Sequence, residues 1–174
     1  MKRVFSTLLI LAMVLAFNVQ LLQGQTESVN LSFKTLDGRS VSLADLRGQV
    51  AVISFSAKGI PLMRYELPQL ERLAAKFSDR GVTVFWVSTN STRPKNQNYA
   101  SDDELRSLAN QYTHLTVLRD PDESAYRQLG SDALPTIIII DQRGRLVGSP
   151  RTGIDPQANL VGDLAATLNR LLAE

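Results

Sequence analysis

The sequence predicts an α/β domain: a central mixed sheet flanked by helices, with an N-terminal β-hairpin extension. Three observations carry the prediction. Residues 50–56, 82–88 and 136–141 form short, almost wholly apolar runs, the mark of strands buried on both faces. Segments of helical periodicity alternate with these runs, and strand–helix–strand units of that kind build a parallel portion of sheet. Ahead of the first run, Asp37-Gly38 separates two short alternating stretches, which is the signature of a hairpin.

The elements follow in order. Residues 30–34 and 39–43 are the hairpin strands, and 42–46 reads as one helical turn stopped by Gly48. After the strand at 50–56, residues 62–79 read as a helix with Leu67, Leu70, Leu73, Ala74 and Phe77 on one face. Pro68 lies inside this helix and is expected to bend it, and Gly81 ends it. The strand at 82–88 leads into a polar loop, 89–100, and then a helix at 102–112 capped by Ser101. A short strand at 116–118 precedes a helix expected to open at Asp120-Pro121-Asp122 and to end at Gly130. The strand at 136–141 turns through Gln142-Arg143-Gly144-Arg145 into an expected edge strand at 146–149. Asp155-Pro156 is expected to open a last amphipathic helix running to Leu172.

The chain has 174 residues, of which 44% are hydrophobic and 21% charged, as suits one folded domain with a real core. Lys2 and Arg3 precede an apolar run from Val4 to Phe17, and Gly24 follows shortly after. This is the pattern of a secretory leader, so residues 1–24 read as a signal peptide or N-terminal anchor and 29–174 as the domain. The leader is either cleaved after Gly24 or kept as a membrane tether through residues 4–22. Gln25 stands where a lipidated cysteine would be, which excludes lipidation there. The expected location is therefore exported, periplasmic or otherwise extracytoplasmic. Two of the 19 basic residues lie in the leader, which leaves 17 against 17 acidic ones. A near-neutral domain gives no argument for nucleic-acid binding, and no nucleic-acid partner is expected.

Four stretches taken together resemble the thioredoxin fold in its redoxin branch. They are Gly38 with Val41-Ser42-Leu43-Ala44-Asp45-Leu46-Arg47-Gly48-Gln49; Val52 to Pro68, with Phe55, Ala57, Pro61, Arg64, Glu66 and Pro68; Ala133-Leu134-Pro135-Thr136 running into 137–141 and Gly144; and Arg151-Thr152-Gly153. The resemblance is to exported thiol–disulfide oxidoreductases of the TlpA and ResA type, related to the AhpC/TSA peroxiredoxins. It implies a cis peptide before Pro135 and a reactive Cys-x-x-Cys pair where the strand at 50–56 turns into its helix. In such a turn the helix N-terminus stabilises a thiolate. Here those four positions are Ile60, Pro61, Leu62 and Met63, and the whole chain contains no cysteine. Ile60 and Met63 form neither a thiolate nor a disulfide nor a sulfenic acid, so no catalytic residue is carried over.

Other chemistries have bland readings. Ser54, Ser56 and Thr136 need a base, and the one histidine, His114, falls in a distant loop. Asp102-Asp103-Glu104 and Asp120-Pro121-Asp122-Glu123 read as charged first turns of helices, and Met63 lacks partner ligands for copper. No cofactor and no metal is expected. Two functional readings follow. In one, Lys58, Gly59, Ile60, Pro61, Leu62, Met63, Leu134 and Pro135 form a non-catalytic surface that binds a protein or an extended peptide. In the other, the family's thiol–disulfide or antioxidant role persists in name only or works through an external thiol.

Overall fold

The computed structural model describes residues 30–174. The expected leader, 1–24, and the tether reading of 4–22 lie outside the described residues. The hairpin forms as β1 (Ser32–Thr35) and β2 (Ser40–Ser42), antiparallel, with Phe33 opposite Val41. A 3₁₀ turn, Leu43–Leu46, follows; the Asp45 carboxylate accepts hydrogen bonds from the Ser42 N–H (2.8 Å) and hydroxyl (2.7 Å). These strands join a seven-stranded sheet of order β2-β1-β5-β4-β3-β6-β7, where β3 is Val50–Ser56, β4 Val82–Ser88, β5 Thr116–Arg119, β6 Thr136–Ile140 and β7 Arg151–Thr152. Strands β3, β4 and β5 run parallel; β6 is antiparallel to β3, and β1 to β5.

Strand periodicity divides the core in two. Val50 and Val52 of β3, with Val82, Val84 and Trp86 of β4, pack beneath α1 (Met63–Phe77) and α4 (Leu160–Leu171). Ala51, Ile53 and Phe55 point the other way, where Phe33, Leu43, Leu46 and Tyr126 cover them. The remaining helices are α2 (Asp102–Ala109) and α3 (Ser124–Gln128). The stripe Leu70, Leu73 and Phe77 of α1 is buried as the periodicity predicts, and α1 continues through Pro68 without ending there.

Three boundaries differ from expectation, each for a local reason. The third helix does not open at Asp120-Pro121-Asp122. The Asp120 carboxylate instead reaches forward to the N–H groups of Ala125 (3.2 Å) and Tyr126 (2.8 Å), and Glu123 adopts a left-handed conformation (φ 57°) that holds the chain out of the helix until Ser124. The expected edge strand at 146–149 reduces to a bridge between Leu146 and Ile140 and one bond from the Val147 N–H to the Ile139 carbonyl (2.8 Å). Pro150 has no N–H to give, so pairing resumes only at Arg151–Thr152. The last helix begins at Leu160, not at Asp155-Pro156. Asp155 closes a separate turn with Gln157 and Ala158, and the Asn159 side chain caps the helix at the Gly162 N–H (3.1 Å).

Candidate functional site

Register places the site before any side chain is considered. Phe55 of β3 pairs with Thr136 of β6, and Ser56 pairs with Ser88 of β4. The turn that follows β3, the loop that precedes β6 and the loop that follows β4 therefore meet at one end of the sheet. The turn is closed by the Ile60 N–H on the Ala57 carbonyl (3.3 Å) and passes through Gly59 at φ 101°, a conformation glycine adopts without a Cβ penalty. The Met63 N–H bonds the Ile60 carbonyl (3.2 Å) and starts α1. Pro61 is exposed, while Ile60, Leu62 and Met63 are half-buried, and Met63 rests against the α1/α4 core.

Asn90 braces this turn. Its carboxamide oxygen accepts from the Lys58 N–H (2.6 Å), and its NH₂ group donates to the Lys58 carbonyl (3.2 Å) and to the Asn98 side chain (2.6 Å). The Ser88 hydroxyl donates to the same oxygen (2.9 Å). The Lys58 ammonium reaches Glu104 on α2 (2.6 Å), and the Lys58 hydrogen bond, with the Ser101 cap, pushes the Glu104 carboxyl down to about 2. This pair is solvent-exposed and adds little to stability. Opposite the turn, the Leu134–Pro135 peptide is cis. The Ala133 carbonyl accepts from the Tyr126 hydroxyl (2.8 Å) and the Thr136 hydroxyl (2.5 Å), and the Pro135 carbonyl accepts from the Gly153 N–H (2.7 Å). Between these anchored groups, neither the N–H nor the carbonyl of Leu134 has a hydrogen-bond partner among the described residues.

Directly beneath the turn lies a buried carboxyl that the sequence reading did not single out for chemistry. Glu66, one helical turn after Met63, is fully buried. The Ser54 hydroxyl donates to its Oε1 and the Ser56 hydroxyl to its Oε2, each at 2.7 Å. Burial pushes the carboxyl up to about 7, against the opposing pull of Ser56, Ser54 and the nearby Trp86 indole, which favour the charged form. The Trp86 N–H itself is buried without a formed hydrogen bond. Ser54 and Ser56 are thus committed donors with no solvent access, and Thr136 is tied to Ala133, so none of the three is a free nucleophile. His114 pairs with Glu71 at 2.6 Å on a half-exposed surface, and Asp102 pairs with Arg119.

The structure brings Lys58, Gly59, Ile60, Pro61, Leu62 and Met63 to the same end of the sheet as Leu134 and Pro135. Four clefts of about 180 to 380 Å³ elsewhere on the molecule are lined by other residues.

Known proteins share this architecture. The chain is similar to the thiol-disulfide oxidoreductase ResA of Halalkalibacterium halodurans, 24% identical over 131 residues, which covers 75% of this chain and 70% of the relative. It is also similar to the thiol:disulfide interchange protein DsbE of Pseudomonas aeruginosa, 29% identical over 136 residues, covering 78% of this chain and 69% of the relative. The matched segment spans 65 to 70% of the length of the ResA relatives. Among solved structures, the exposed lipoprotein thioredoxin of Streptococcus pneumoniae superposes with a TM-score of 0.61 at 24% identity, covering 81% of this chain and 98% of its own. The family model described as "AhpC/TSA family" matches residues 25–149, most of the chain, and the protein therefore belongs to the AhpC/TSA family, with a thioredoxin-like fold and no cysteine.

Proposed function

We propose that this protein is an exported, non-catalytic docking module that holds an extended segment of another protein across the turn at 58–63 and the Leu134–Pro135 loop. The observation that carries the reading is the unpartnered main chain of Leu134 beside a half-exposed apolar turn. An extended peptide supplies both the donor and the acceptor that Leu134 lacks, and it places alternate side chains on Ile60, Leu62 and Met63. The missing thiols separate docking from reaction: nothing in the chain can form a mixed disulfide with what docks. Export is supported by the basic start and apolar run of the leader, and the pneumococcal neighbour is described as an exposed lipoprotein.

Selection of displayed decapeptides on the full chain tests the reading. Selected peptides are expected to shift the Leu134 amide in NMR titrations and to lose at least about tenfold in affinity on Met63→Asp or Leu62→Asp, a change of about 1.4 kcal/mol. Peptides that bind equally well to both variants would place docking elsewhere and remove the proposal.

A further inference from the structure

The sheet edge beside β6 carries a gap in its ladder, at the opposite side of the sheet from the hairpin. The Val147 N–H bonds the Ile139 carbonyl (2.8 Å), and pairing with β6 resumes at Arg151 opposite Ile137. Between these two points residues 148–150 leave the ladder, through Gly148 at φ 69° and Pro150, which has no N–H. The Ile139 carbonyl faces this edge, and in an antiparallel strand the N–H of the same residue faces the same way. That N–H has no hydrogen-bond partner among the described residues, although Ile139 is only 6% exposed. A cleft of about 300 Å³ opens at the gap, between the 147–151 segment and the C-terminal half of α4.

The charge that lines this cleft has one sign. Arg151 and Arg170 both line it, and no carboxylate does. Arg170 pairs with Glu174 (2.7 Å), which lies outside the cleft. That leaves Arg151, exposed and without an ion pair among the described residues, as the one uncompensated cation of the lining. The hydroxyls of Ser149 and Thr167 add donors from opposite walls. Ile137, Ile139 and Val147 give the cleft an apolar floor continuous with the core beneath α4. A main-chain N–H left unmade in a buried strand costs free energy that an arriving acceptor recovers.

We propose that this cleft binds a short aliphatic monocarboxylic acid as its carboxylate. The two oxygens of that group suit the Ile139 N–H and the guanidinium fork of Arg151. A single negative charge balances the one free cation, whereas a phosphate dianion exceeds it. The hydrocarbon portion covers Val147 and the two isoleucines, and the volume of the cleft admits a chain of only a few carbons.

The test is an NMR titration of the full chain with sodium hexanoate and, separately, with acetate, hexanol and inorganic phosphate, at ionic strength held constant by sodium chloride. Saturable shifts at Ile139, Ser149, Arg151 and Thr167 are expected with hexanoate, and the Ile139 amide proton moves downfield as it gains an acceptor. Arg151→Gln, at an exposed position, removes the free cation; Thr167→Glu, on the helix wall, brings a like charge into the cleft. Each is expected to weaken hexanoate binding at least about tenfold. Shifts that never saturate, that hexanol or sodium chloride reproduces, or that survive both substitutions would overturn the site. Acetate binding as tightly as hexanoate would overturn the aliphatic portion, and tighter binding of phosphate would overturn the carboxylate.

Discussion

Glu66 sets the pH behaviour of the molecule. Its carboxyl titrates near 7 in the folded chain and near its ordinary 4.5 when unfolded. The folded state therefore holds this proton more tightly, and the stabilisation from protonated Glu66 is fully present below about pH 4.5 and lost as pH rises to about 7. A shift of that size corresponds to roughly 3 kcal/mol. Thermal unfolding of the wild-type protein is expected to show a melting temperature that falls from pH 5 to pH 8. Glu66→Gln, which keeps the shape and cannot ionise, should flatten that profile and be the more stable form at pH 8. Ser54→Ala and Ser56→Ala remove donors to the charged form. They should therefore cost more at pH 8 than at pH 5, by about 1 kcal/mol each. The sequence held the signal for this site. Glu66 sits on the stripe that continues through Leu70, Leu73 and Phe77, and Ser54 and Ser56 share one face of an otherwise apolar strand. A carboxyl on a buried stripe facing two hydroxyls at strand spacing is a polar cluster written in two periodicities, 3.6 and 2.

At the scale of the element, the turn after β3 is held both by its own closing bonds and Gly59 and by a brace from the loop after β4. Asn90→Ala removes the acceptor for the Lys58 N–H and the donor to the Lys58 carbonyl. It is expected to cost about 2 kcal/mol in denaturant unfolding and to speed amide exchange at Lys58. Gly59→Ala should cost about 1 kcal/mol, as a conformational effect alone: no atom lies within 4 Å of the added methyl, but φ is 101°. The brace was not legible beforehand, because Asn90 reads as one polar residue among many in 89–100. Its partner lies 32 residues away, and only the parallel pairing of β3 with β4 brings the two together. The two misplaced helix starts have a local origin instead. Asp120-Pro121-Asp122 and Asp155-Pro156 both carry the local marks of a helix start, yet in each case the aspartate side chain closes a turn of its own first.

At the scale of the whole molecule, the long apolar runs, their order and the hairpin were legible because burial on both faces writes itself into composition. The two-sided core then fixes which end of the sheet carries the turn, whatever residues occupy it. That independence lets an AhpC/TSA family chain keep the scaffold, the cis Leu134–Pro135 peptide and the open main chain of Leu134 with no cysteine anywhere in its sequence. The proposed function is docking without thiol exchange. The most direct measurement is reduction of insulin disulfides by the full chain with dithiothreitol supplied as external thiol. A rate equal to that of dithiothreitol alone is expected. Acceleration comparable to that of a cysteine-containing relative would contradict a docking role without thiol exchange.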